Sequence, residues 1–107
     1  MPSYVILMTA TDQGMKAMNR LAESANAVKA ALERRGMTYH GIYLTQGLYD
    51  VVMIVDSPTE ELLMSALIDN AMRGNVRTMT MRGFTPDEVQ RIVAAGPLLA
   101  DVPQPTA

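Results

Sequence analysis

One histidine, His40, stands in a chain of 107 residues that contains no cysteine. Its imidazole can take or give a proton near neutral pH, provided that a neighbour orients it. A metal centre would need three or four ligands, and with neither a second histidine nor a thiolate the sequence implies no metal and no cofactor. Asp50 is the other candidate base. It closes the segment Gly47-Leu48-Tyr49-Asp50, beside an apolar run. A desolvated carboxylate there could accept a proton, orient a tyrosine or hold a cation. The plainer reading is turn chemistry, with Gly47 allowing the bend and Asp50 accepting from nearby amides. Tyr43 and Tyr49 are placed to border a ligand, and the Arg77 guanidinium suits its anionic group.

These residues constrain one another. Arg77 and Arg82 have opposite parity on one strand, and a guanidinium in a sheet requires a carboxylate or solvent. Asp50 is a candidate partner. Parity also puts His40 and Tyr43 on opposite faces of a regular strand. Asp12-Gln13-Gly14 could turn helix-start amides toward an anion, although a single glycine is a weak signal. The chain has no phosphate loop, no GxSxG and no HExxH.

The elements that must position these groups can be read from period and punctuation. Ser3 to Thr9 reads as a strand. Thr11 or Asp12 caps a helix whose stripe is Met15, Met18, Ala22, Ala25, Val28 and Leu32, ended by Gly36. Met37 to Leu44 and Leu48 to Asp56 form a hairpin around Thr45-Gln46-Gly47. Ser57 caps a second helix with Pro58 at its first position and Glu60 closing a capping box. Its inward face is Leu63, Ala66, Leu67 and Ala71, and Gly74 ends it. Asn75 to Gly83 is a fourth strand. Thr85-Pro86-Asp87-Glu88 opens a short last helix with Val89, Ile92 and Val93 inward. Residues 1–96 are thus expected to make one domain. Residues 97–107 make a proline-rich tail, loose or lying as an arm on a neighbour. The order βαββαβ is the ferredoxin-like arrangement: α+β, a four-stranded antiparallel sheet, two helices on one face and a short C-terminal helix.

Composition narrows the function classes. Apolar residues make up 49% and charged residues 19%, a globular balance, and the net charge is −2. No basic stripe suggests nucleic acid. No apolar run reaches membrane-spanning length, and the first residues do not resemble a signal peptide. The cytoplasm is the expected compartment. The ten methionines are read mainly as core filling, with a pliable apolar pocket as the functional alternative.

The third strand breaks the alternation of a sheet with one wet face. Val51, Met53 and Val55 point one way and Val52 and Ile54 the other, so both faces are apolar. The helices cover one. Packing the other against a second copy would bury roughly 800 Å² and yield about 20 kcal/mol before association costs. The expected partner is therefore the chain itself, as a homodimer or larger oligomer through the sheet face.

Several segments together resemble the GYD-domain family of small bacterial proteins. They are Tyr4-Val5, Thr11-Asp12-Gln13-Gly14, Gly41-Ile42-Tyr43, Gly47-Leu48-Tyr49-Asp50 and Gly74-Asn75-Val76-Arg77-Thr78 with Phe84-Thr85. The resemblance implies an oligomeric fold of the dimeric α+β-barrel type. It implies no particular reaction. Thr9-Ala10 stands where members often carry an aromatic residue. On this reading the leading function is a homo-oligomeric module binding a small organic molecule at Tyr43, Tyr49, Asp50 and Arg77. The alternative is a cofactor-free enzyme, monooxygenase- or isomerase-like, with His40 or Asp50 as base.

Overall fold

Tyr4, Ile6 and Met8 point to one side of the first strand and are buried, whereas Val5 and Leu7 point to the other and stay half exposed. That alternation follows from the two-residue period of a strand and sets the two faces of the sheet. A computed structural model describes residues 1–105 of the chain. Residues 106 and 107, the end of the expected tail, lie outside the described residues. The elements are β1 (Ser3–Ala10), α1 (Asp12–Lys16), α2 (Met18–Arg34), β2 (Thr38–Leu44), β3 (Val51–Asp56), α3 (Glu60–Met72), β4 (Val76–Gly83) and α4 (Pro86–Ala94).

The four strands form one antiparallel sheet in the order β2-β3-β1-β4. This is the expected ferredoxin-like arrangement. The core joins Tyr4, Ile6 and Met8 to Val51, Met53, Val55, Met37, Leu63 and Val76. Leu21, Val28 and Leu32 of α2 and Leu62, Ala66 and Leu67 of α3 pack onto it. Both long helices therefore cover the same face. No helix among the described residues is long and apolar enough to cross a membrane.

Four local expectations need correction. The first helix is two helices, broken at Ala17, and its inward stripe runs through Leu21 while Met15 and Ala22 face solvent. A period count cannot see such a break, although Met18, Ala25, Val28 and Leu32 of the expected stripe remain half-buried after it. The cap of α3 is Thr59 rather than Ser57: Thr59 Oγ1 accepts from Leu62 N at 3.1 Å. Ser57 is fully buried, and its hydroxyl donates to Thr59 O at 2.7 Å. Pro58 thus precedes the helix. Ala71 of α3 is exposed rather than inward. The cap of α4 is as expected, with Thr85 and Glu88 closing a capping box and Pro86 opening the helix. Its expected inward face is not inward, however: Val89, Ile92 and Val93 are all exposed.

The segments flanking β4 lock to those after β1. Thr11 N donates to Asn75 O at 3.0 Å, and the Thr11 hydroxyl donates to Gly74 O at 2.7 Å while accepting from Gly14 N. Gln13 donates to the Asn75 side chain at 2.8 Å. Gly14 is buried, and a Cβ there would lie 1.8 Å from Asn75 O. Asp12-Gln13-Gly14 is thus a junction between loops, with the Gly14 amide already taken by Thr11.

Candidate functional site

The open face of the sheet carries the residues with chemical potential. Its register gives two apolar rungs. Gly41, Ile54, Val5 and Met81 lie abreast, and Tyr43, Val52, Leu7 and Met79 lie abreast beside them. Met79 and Met81 are exposed, as is Tyr43. Tyr49, just before β3, spans β1 to donate its hydroxyl to Met79 Sδ at 3.6 Å. Arg77 is abreast of Thr9 on the same face and reaches solvent.

At the other end of this face, His40 finds an orienting partner. His40 Nε2 lies 2.9 Å from Asp56 Oδ2. The second oxygen of that carboxylate accepts from the Ser3 hydroxyl at 2.6 Å. Burial acts to raise the Asp56 pKa, but the Ser3 hydroxyl and then His40 outweigh it and hold the group below the usual carboxylate range. Asp56 therefore stays ionised and orients the ring through Nε2. The carboxylate sits between the serine and the histidine. This is an orienting pair with a supporting hydroxyl, and Ser3 is not placed as a nucleophile against the ring.

The parity expectation for His40 fails. Tyr39 pairs with Val55, but Gly41 pairs with Ile54, so β2 carries a bulge at His40. The extra residue puts His40 on the same face as Gly41 and Tyr43. Sequence reading also missed Asp56 and Ser3. The signal was present, because Asp56 shares parity with Val52 and Ile54, a carboxylate in line with an apolar face.

Asp50 has a different surrounding. Its Oδ2 accepts from Ala10 N at 2.8 Å, its amide donates to Met8 O at 2.9 Å, and its carbonyl accepts from Thr45 N at 2.8 Å. The carboxylate thus closes the end of β1. The ion pair considered between Asp50 and an arginine is not formed. Arg82 lies 3.9 Å from Glu88 instead, with its guanidinium 4.2 Å from the centre of the Phe84 ring. So His40, Tyr43, Tyr49 and Arg77 share one face, with Asp50 at its margin.

A second concavity lies on the opposite side, between α2 and α3. It holds about 210 Å³ and is lined by Ile6, Met8, Leu21, Val28, Met53 and Leu67, with Asn70 and Arg73 also on its wall. That is below the roughly 300–1,000 Å³ of ordinary ligand pockets. It reads as the gap left by α2, none of whose side chains is fully buried.

The profile of the GYD domain matches residues 4–93. The glutamine synthetase and cystathionine beta-lyase binding protein of Thermus thermophilus is 33% identical over 85 residues, which cover 78% of this chain and 90% of that protein. With its sheet order, its loop junctions and this match running from β1 into α4, the chain belongs to the GYD domain family.

Proposed function

We propose that this protein is a homo-oligomeric binding module of the cytoplasm. It packs the open faces of two sheets together and takes a small organic molecule at the seam. The observation that carries this reading is the open face itself. Val5, Leu7, Val52, Ile54, Met79 and Met81 form an apolar field across three strands with no helix of the chain over it. A field of this kind marks an interaction site. Tyr43, Tyr49 and Arg77 border it, and Asp50 holds the β1 end that positions Tyr49. Two such faces in contact would enclose a space with pliable thioether walls and polar groups at its edges, the usual make-up of a small-molecule site. A binding role also fits the Thermus thermophilus relative, which is named for the two enzymes it binds. Ligand occupancy would then be a natural signal for a protein partner to read.

The test is a thermal-shift screen with small aromatic acids and lactones. A ligand at 100 times its Kd stabilises the folded state by about 2.7 kcal/mol. Tyr43→Ala and Arg77→Ala are expected to remove that shift while leaving the unliganded melting point within a degree or two. A panel that produces no shift overturns the small-molecule reading.

The His40–Asp56 pair favours a second reading, a cofactor-free enzyme in which His40 Nδ1 removes a proton from the bound molecule. Here His40→Ala would leave binding intact and abolish turnover. Equal turnover by both proteins would dismiss it.

A further inference from the structure

We propose that α4 and the turn after it, residues 86–102, form an arm that packs on a second copy of this chain. The arm has an apolar side that is largely exposed among the described residues. Val89, Ile92 and Val93 are 45%, 57% and 68% exposed, and Leu98, Leu99 and Val102 are more than half exposed. The chain's radius of gyration is 17.6 Å, against about 13 Å for a compact globule of this length.

The arm is held away from its own sheet. Only Phe84 and Thr85 separate β4 from α4. The capping box fixes the first turn, with Thr85 N donating to Glu88 Oε1 at 3.0 Å and Glu88 N donating to Thr85 Oγ1 at 3.2 Å. Arg82 braces the same corner. It donates to Ser3 O at 3.3 Å and to Gly83 O, covers the Phe84 ring and approaches Glu88. Folding α4 back over its own open face would break this corner, so the apolar side is available only to another molecule.

Area and continuity select a second copy as that molecule. Six such side chains offer roughly 350–700 Å², at about 60–120 Å² each. A stable interface takes about 800 Å² from each partner. The arm falls short alone, and adding the open sheet face makes up the difference. The two surfaces adjoin, because β4 carries Met79 and Met81 on the open face and leads directly into the arm. A copy seated on the sheet is therefore within reach of the arm. This step rests on the sheet-to-sheet packing proposed above.

The test uses the full chain with Ile92→Glu and Val93→Glu combined, beside a separate Leu7→Glu variant of the sheet face. Both are followed by sedimentation and by hydrogen exchange. The arm variant is expected to weaken self-association at least tenfold while circular dichroism stays unchanged. Amides of residues 86–102 are expected to be protected in the oligomer and to exchange freely when dilution or Leu7→Glu produces monomer. Unchanged self-association in the arm variant, or equal exchange of the arm in monomer and oligomer, overturns the proposal and assigns the arm to a different partner. If Leu7→Glu leaves the oligomer intact and the arm variant dissolves it, the arm stands and the sheet-packing reading fails.

Discussion

The two faces of the sheet are built from nearly the same residue types and meet opposite fates. Along β3, Val51, Met53 and Val55 are buried under α2 and α3, while Val52 and Ile54, equally apolar, are covered by no helix of the chain. Composition alone would not separate them. The difference lies at the margins. Among the described residues, the buried side-chain polar atom without a hydrogen-bond partner on the covered face is the Tyr4 hydroxyl. The open face is framed by His40, Asp56, Ser3, Tyr43, Tyr49 and Arg77. One face is closed by the protein's own helices, and the other is the surface to which the proposed function assigns recognition.

The largest expected effect breaks the covered face. Ile6 is fully buried, and Ile6→Ala should cost about 2–5 kcal/mol at any protein concentration, as measured by urea unfolding. Ile54→Ala, its counterpart on the open face, should cost much less in dilute solution, with a loss that grows as concentration rises. Next comes Gly14→Ala. The added methyl would meet the Asn75 carbonyl, so the β1 and β4 loops must part, at about 1–3 kcal/mol. Thr85→Ala removes the α4 cap and should cost about 1 kcal/mol of helix stability while freeing the arm, visible as faster exchange over residues 86–94.

The smallest effect is pH-dependent. The Asp56 carboxyl titrates below its unfolded value near 3.9. Its stabilisation is complete above that value and is lost as pH falls through the folded value. Ser3→Ala removes one of the bonds that lower it, so loss should begin at higher pH. A carboxyl titration by NMR that is identical in both proteins would exclude this role for Ser3.

The sheet was legible in the sequence because its strands are short β-branched and apolar runs bounded by turn residues, and the Thr85 cap was legible because a capping box is local. Other features depended on what sequence spacing leaves open. The Ser57 hydroxyl looks like a cap, but it donates to Thr59 O, and the helix starts two residues later with Thr59 accepting from Leu62 N. The break at Ala17 separates Met15 from the stripe of α2, in which Leu21 rather than Ala22 stands inward beside Val28 and Leu32. The bulge between Tyr39 and Gly41 adds one residue to β2, so that Gly41 and Tyr43 share the face His40 already takes in step with Thr38, the residue opposite Asp56. The apolar side of α4 was found correctly, but its direction was not, since amphipathicity says that a face needs cover and not which molecule supplies it. Of the candidate site, His40, Tyr43, Tyr49 and Arg77 were individually visible, whereas Asp56 and Ser3 depended on the register of three strands.

If the open face packs against another copy of the chain, as proposed, multi-angle light scattering at micromolar concentration will report it as mass. The expected mass is that of a dimer or a larger multiple, falling to that of the single 11.7 kDa chain when Ile54→Glu places a charge in the middle of the face. A wild-type chain that elutes as a monomer, still folded, would contradict it.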